Sequence, residues 1–512
     1  MKIMFDKKIA VKIATGLISI TLLYISCYFM LKGAGSRVTE RNVIIFVFAI
    51  ILLSASKKVF KYLVFPVVIL YSIYSPIGLV FGLPTFKHII SFISTDLLEA
   101  KEFLSQIPII YFFTPILIIG PFILYSLINK KYNIKLYNNK TFLSLSVIFI
   151  ILQQQPLELI NNSISSIKKV NHEYNELEKL SSMNEWGASK LKNNNYINYV
   201  LIIGESARKD YHHAYGYPIN NTPFMSSSNG IIIDGMTSGG IYTVQSLRLM
   251  LTEPNRKNWE PSYNRNLIDL INSAGIKTYW LSNQGYLGAY DTPISAIAKK
   301  SNYKYFIKSG EYSSKNTSDF MLLDELKKIV LSNNKKFIVL HLYGSHPNAC
   351  DRVSDYRLIT HVNDDKYSYI NCYISSINKT DDFLKEVYQI LNKQHKEKND
   401  SFSMVYFSDH GMATDLTNKV IQLNNKNESK LHFNIPLFSI SSDSIDRKVC
   451  HSFKSGLNFT TGIANWVGIS NDYINPEYSL FDCIDDPNDF GLKNRINDNP
   501  VEIDKAIDIR GK

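Results

Sequence analysis

The chain has 512 residues, with 56 Lys plus Arg against 45 Asp plus Glu and a formal net charge of +11. Its hydrophobic fraction of 45% averages two unlike halves: an Ile-, Leu-, Phe- and Val-rich stretch up to about Ile160, then an Asn- and Lys-rich remainder. The lysines are scattered or flank apolar runs and form no stripe with interleaved aromatics, which argues against a nucleic-acid partner and for an anionic lipid surface.

In chain order, five apolar stretches come near the ~20 residues that cross a bilayer. They are Ile9–Leu31, Val38–Ser56, Tyr62–Gly82, Ile107–Leu127 and Thr141–Ile160. The first has no small-residue cleavage site and further spans follow, so it is a span rather than a signal peptide. Lysines fix the orientation. Lys2, Lys7, Lys8 and Lys12 precede the first span; Lys57, Lys58 and Lys61 separate the second and third; Lys130, Lys131, Lys135 and Lys140 separate the fourth and fifth. With five spans all three clusters share the cytoplasmic side, and the loop 83–106 and everything after Ile160 are exported. An even number of spans would retain the C-terminal half in the cytoplasm. Residues 1–160 are therefore expected to form a helical transmembrane bundle, and 161–196 a linker helix and connection.

The remaining residues, 197–512, alternate β-runs with helical stretches. Strands are predicted at Tyr199–Ile203, Ile276–Leu281, Phe337–Leu342, Ser403–Phe407 and Leu437–Ile440, and helices at Leu267–Ala274, Phe320–Leu331 and Asn378–Leu391. This alternation predicts an α/β domain with a largely parallel sheet. Cys350, Cys372, Cys450 and Cys483 show no zinc-knuckle spacing, and in an exported domain they permit two disulfides. Proximity in sequence pairs Cys350 with Cys372 and Cys450 with Cys483.

Chemistry concentrates where strands end: Glu205-Ser206, Ser345-His346 and Asp409-His410 each follow a predicted strand. Reactive groups in open α/β sheets collect at the carboxyl ends of strands. Carboxylates, an imidazole and a hydroxyl form a mixed nitrogen and oxygen donor set suited to zinc, with manganese or magnesium as competitors. A bound divalent cation also activates a hydroxyl that is otherwise a poor nucleophile.

The stretch Gly204-Glu205-Ser206-Ala207-Arg208, followed by Tyr215-Gly216-Tyr217-Pro218 and Asn221-Thr222-Pro223-Phe224, resembles the phosphoethanolamine transferases of Gram-negative inner membranes. That family belongs to the alkaline phosphatase/sulfatase superfamily, and five spans followed by an exported catalytic domain is its plan. The resemblance implies a multi-pass inner-membrane enzyme with a periplasmic sulfatase-like domain; a monomer is expected, although the sequence itself does not speak to oligomeric state. Glu205, Ser206, Asp409 and His410 would hold a catalytic zinc. Ser206 would be the nucleophile, at a position the resemblance gives as usually threonine, and His346 would act near the transferred phosphate. Thr95 and Glu99 match the family's exported-loop motif for the ethanolamine headgroup, while Arg248 and His432 are candidate substrate contacts. The donor would be phosphatidylethanolamine and the acceptor lipopolysaccharide or another envelope glycan.

Four features depart from the family pattern: Ser91 replaces a loop asparagine, Met412 follows Asp409-His410-Gly411, His432 lies unusually close to the next strand, and Tyr286 and Leu287 stand where a lysine is usual. A glycerol-phosphate transferase, a phosphodiesterase and a non-catalytic envelope scaffold are the competing readings. No Cys/Ser-x-Pro-x-Arg motif supports sulfatase activity.

Overall fold

The computed structural model describes residues 2–86, 88–89, 97–135, 144, 158–192, 195–284, 293–308, 316–417, 419–425, 429–497 and 505–512. The chain divides into two compact units, Met1–Ile89 with Ser105–Val170, and Ile90–Leu104 with Asn171–Lys512.

The first unit is built from long apolar helices. Helix α1 covers Lys2–Gly33 and α2 covers Glu40–Leu53. Helix α3 runs continuously over Lys57–Phe81 with one π turn at Phe60–Val64. After the short α4 (Leu97–Ser105), which belongs to the second unit, α5 covers Ile109–Tyr132. Leu23, Cys27 and Met30 of α1 pack with Phe46, Val47 and Ile50 of α2, Val68 and Tyr71 of α3, and Ile118, Phe122 and Tyr125 of α5. Ile13, Leu17, Ile73, Ile116 and Leu127 point outward. Such an apolar exterior suits lipid, where helices satisfy every backbone group internally.

Among the described residues three helices, Val11–Gly33, Lys57–Phe81 and Ile109–Tyr132, are long and apolar enough to cross a membrane. The expected five spans are therefore not all found. The second falls on α2, whose 14 residues give about 21 Å of helix, short of a ~30 Å hydrocarbon core. The fifth, Thr141–Ile160, lies almost wholly outside the described residues. Helix α6 covers Glu158–Ser181.

That sheet has eight strands: β1 Asn198–Gly204, β2 Ile231–Ile233, β3 Lys277–Ser282, β4 Tyr303–Phe306, β5 Lys336–His341, β6 Phe402–Ser408, β7 Leu437–Ser441 and β8 Lys448–Cys450. Their spatial order is β8-β2-β7-β6-β1-β5-β3-β4. Strands β6, β1, β5, β3 and β4 run parallel, while β7 is antiparallel to both β6 and β2. Residues alternate between two cores, as the pleat requires. Tyr199, Leu201, Ile203, Phe337, Val339, Val405 and Phe407 enter one. Val200, Ile202, Ile338, Leu340, Met404 and Tyr406 enter the other. Burial on both faces explains why these strands read as continuous apolar runs.

Helices cover both faces. Those used below are α7 Thr243–Met250, α8 Leu267–Ser273, α9 Leu322–Ile329, α10 Ala349–Arg352, α11 Ser368–Lys398, α12 Lys430–Phe433 and α13 Phe459–Val467. Helix α8, with α13, packs on the first core, and α9 and α11 pack on the second. All five predicted strands and all three predicted helices are present, the last helix within the 31-residue α11. Both predicted disulfides form, Cys350–Cys372 and Cys450–Cys483.

Candidate active site

Strand register assembles the site. Gly204 at the end of β1 pairs with Ser408 at the end of β6, so the residues that follow, Glu205 and Asp409, leave the sheet side by side. Only glycine fits at 204, because a Cβ there would lie 2.8 Å from the Tyr406 ring. Ligand atoms of Glu205, Asp409 and His410 all lie within 4.8 Å of one another, and the three residues are at most 1% exposed.

Hydrogen bonds aim these groups inward. Asp409 Oδ1 accepts from the backbone N–H of Ser206 (2.9 Å) and of His410 (2.7 Å). Its buried Oδ2 has no hydrogen-bond partner among the described residues, and His410 Nε2 stands 3.4 Å away. His410 Nδ1 lies 2.7 Å from the Gly411 carbonyl, which fixes the proton on Nδ1 and leaves Nε2 as the ligand atom. Glu205 Oε2 accepts 2.7 Å from Gln284 Nε2, which also donates to the Leu342 carbonyl.

Burying two carboxylates together is costly unless a cation compensates them. Burial and the Glu205 charge push Asp409 well above its usual range. Burial opposes charging of His410, but Asp409 and Glu205 outweigh it and raise the imidazole to about 9. Glu205 is likewise desolvated, yet the hydrogen bond and charge of His410 hold it below the usual carboxylate range. The orphaned Oδ2, the preset Nε2 and the convergent Glu205 oxygens fit a divalent cation.

Two hydroxyls reach this cluster. Ser206 Oγ donates to Glu205 Oε1 at 2.6 Å, but Ser206 is fully buried and sits at φ +56°. Thr243 Oγ1 lies 3.1 and 3.3 Å from the two Glu205 oxygens and 3.5 Å from His410 Nε2. Thr243 is partly exposed and opens α7, whose first N–H groups lack intrahelical partners and favour anions. Ser246, one turn on, donates to the Asp409 carbonyl at 2.7 Å and ties α7 to the cluster.

His346 follows Ser345, whose N–H donates to the Glu205 carbonyl at 3.0 Å. Gly344 makes this turn at φ +45°. Asp319 accepts from the N–H groups of Tyr343 and Gly344 at 2.8 and 3.0 Å. The His346 ring stacks on Tyr343 with centroids 4.8 Å apart.

His432 is fully buried in α12, and its Nδ1 accepts from the Ser429 N–H at 3.0 Å. Nε2 then carries the proton and has no hydrogen-bond partner among the described residues. Burial and the neighbouring His410 push this imidazole down to about 3, so it is a neutral donor.

Arg248, the expected phosphate contact, is engaged within the protein. Arg248 is 8% exposed and its Nη1 pairs with Glu173 Oε2 at 2.6 Å, while Glu173 Oε1 accepts from Tyr263. This ion pair joins α6 to α7. Thr95, Tyr286 and Leu287 lie outside the described residues, as does the Glu99 side chain. Sequence reasoning missed Thr243 as a member of the cluster and Gln284 altogether. The only signal for Thr243 was its place just after a glycine pair in Gly239-Gly240-Ile241-Tyr242-Thr243.

A parallel α/β sheet with this metal-type cluster at its strand ends is the sulfatase class of domain, and the family model described as Sulfatase matches residues 197–469. A provisionally named phosphoethanolamine transferase of Haemophilus influenzae is 47% identical over 406 residues, covering 77% of this chain and 83% of that protein. Phosphoethanolamine transferase OpgE of Escherichia coli is 33% identical over 431 residues, 79% of each chain. The solved lipooligosaccharide phosphoethanolamine transferase A of Neisseria meningitidis shares the fold, with a TM-score of 0.60 at 15% identity, covering 90% of this chain and 97% of that one. The chain belongs to the phosphoethanolamine transferase family and is a transferase enzyme.

Proposed function

We propose that this protein moves phosphoethanolamine from phosphatidylethanolamine to an envelope acceptor through a covalent intermediate on Thr243. The observation that carries this reading is a partly exposed hydroxyl at a helix N-terminus, 3.1 Å from a glutamate of the buried cluster. Glu205, Asp409, His410 and a hydroxyl oxygen would hold zinc, with manganese or magnesium as alternatives, and the bound ion would supply Lewis acidity that favours the alkoxide and neutralises phosphate oxygens.

In the first step the Thr243 oxygen attacks phosphorus. The bond from phosphorus to the diacylglycerol oxygen breaks, and that oxygen takes a proton. In the second step an acceptor hydroxyl or phosphate displaces the threonine oxygen. The first N–H groups of α7 favour the phosphoryl charge. His432, held neutral with its proton on Nε2, is suited to donate to a phosphate oxygen, and His346 to exchange a proton with the leaving or entering oxygen.

Thr243 replaces Ser206 as the preferred nucleophile for a physical reason. The Ser206 hydroxyl is sealed from solvent and engaged with Glu205 at 2.6 Å, which suits a residue that orients the glutamate. Thr95 and Glu99 are read as headgroup contacts by resemblance alone.

The domain reading is a transmembrane region over 1–160 with the exported loop 83–106, a connection over 161–196 and a periplasmic catalytic domain over 197–512. Lysine placement supports this inner-membrane orientation under five spans, and the two disulfides support an oxidising compartment for the catalytic domain. The acceptor is read as a hydroxyl or phosphate of an envelope glycan, with lipid A or a core sugar preferred. Mass spectrometry of envelope glycans from cells with and without the protein tests this directly. A gain of one phosphoethanolamine on one acceptor is expected; unchanged glycans together with no diacylglycerol release would overturn the reading.

A further inference from the structure

Helix α4, from the loop between the third and fourth apolar stretches, carries a glutamate with no role so far. Glu102 is 2% exposed and uses both carboxylate oxygens. Oε2 lies 2.9 Å from His346 Nδ1, and Oε1 forms an ion pair with Arg352 Nη2. Arg352 is itself fixed: Nη1 donates to Asn316 at 3.0 Å, and its guanidinium lies 4.2 Å from the Tyr343 ring centroid. It ends α10, which the Cys350–Cys372 disulfide ties to α11. The His346 ring is thus held on its face by Tyr343 and on one nitrogen by Glu102. Charged groups around it among the described residues include Glu102, Arg352 and, across the turn, Glu205, and Lys308 Nζ lies 3.5 Å from the centroid of the Tyr343 ring on which the imidazole stacks.

We propose that Glu102 is a positioning residue for the transfer, acting through His346: its carboxylate accepts the Nδ1 proton, sets the tautomer and presents Nε2 to the reacting phosphate. A carboxylate that binds the far nitrogen of a working histidine fixes ring orientation and raises its basicity. A solvated glutamate would suffice merely to keep an exposed helix soluble. A carboxylate 2% exposed and shared between an arginine and the site histidine requires both partners, because an unpaired buried charge is strongly destabilising.

This inference rests on the transferase reading above, and the test separates the two. Full-length protein in detergent with phosphatidylethanolamine is assayed for diacylglycerol release, and His346 is followed by C2-hydrogen exchange and mass spectrometry across pH. Glu102→Gln is expected to lower kcat about 10- to 100-fold with KM changed less than about threefold. The exchange midpoint of His346 should fall by about one pH unit as the neighbouring anion is lost. Glu102→Asp should recover part of the rate, and Glu102→Gln combined with His346→Ala should be no slower than His346→Ala alone. If Glu102→Gln does not fold, the Glu102→Gln/Arg352→Met pair, which removes both buried charges, replaces it with the same expectations. A kcat within twofold of wild type, or an unmoved His346 midpoint, overturns the proposal. Absence of any diacylglycerol release by the wild type would refute the transferase reading, and the His346 midpoint would still decide the positioning role.

Discussion

Substitution of Asp409 by asparagine should change stability little without metal and should abolish stabilisation by metal. Asparagine keeps the Oδ1 acceptor for the Ser206 and His410 N–H groups and places an amide where the unpartnered Oδ2 now lies. Ligand atoms of Glu205 and Asp409 lie within 4.8 Å, and like charges at that separation repel by about 3.5 kcal/mol at an effective dielectric constant of 20. His410 Nε2 lies 3.4 Å from Asp409 Oδ2, an attraction of about 5 kcal/mol on the same scale. Burial and the Glu205 charge also favour the neutral Asp409 carboxyl, which shrinks both terms. The two largely cancel, so in EDTA Asp409→Asn should melt within about 3 °C of wild type, at about 2 °C per kcal/mol for a domain of this size. Zinc at 100 times its Kd would stabilise wild type by about 2.7 kcal/mol and leave the variant unmoved. Thermal unfolding of full-length protein in detergent, in EDTA and in zinc, reads both effects. A shift in EDTA well outside that window, or a variant stabilised by zinc as much as wild type, would refute the argument.

Gln284→Leu removes the N–H donor to Glu205 Oε2; loss of a hydrogen bond to a charged group costs about 1.5–3 kcal/mol, so kcat/KM for diacylglycerol release should drop roughly 10- to 100-fold. An unchanged value would show that Glu205 is oriented by other contacts. Asp381 accepts from the N–H groups of Phe224 and Met225 at 2.7 and 3.0 Å, and burial raises it to about 7. Its folded pKa therefore exceeds the unfolded value of about 3.9, so its stabilising contribution is complete below pH ~4 and is lost as pH rises through 7, a span of roughly 4 kcal/mol. Denaturation midpoints at pH 5 and pH 8 should differ less in Asp381→Asn than in wild type; equal differences would contradict the linkage.

Much of this architecture is legible in the residues. Leu201-Ile202-Ile203 and Met404-Val405-Tyr406-Phe407 are buried on both faces, so continuous apolarity marks them as strands. Strands β2, β4 and β8 have three or four residues, too few for a period to emerge. Glu205, Asp409 and His410 are readable because they stand within two residues of a strand end. Thr243 is not, because it arrives at a helix start and joins Glu205 only through tertiary folding. Glu102 is harder still, since its partner His346 is 244 positions away. Arg248 has a partner that its place in the sequence does not announce, since Glu173 stands 75 positions before it.

The central claim is that Thr243 carries the phosphoethanolamine. Full-length wild type, Thr243→Ala, Thr243→Ser and Ser206→Ala are incubated with phosphatidylethanolamine in the absence of acceptor, and intact-protein mass spectrometry is performed with peptide mapping. The account predicts a phosphoethanolamine adduct on residue 243 in wild type, Thr243→Ser and Ser206→Ala, and none in Thr243→Ala. An adduct that survives Thr243→Ala and disappears in Ser206→Ala would contradict it.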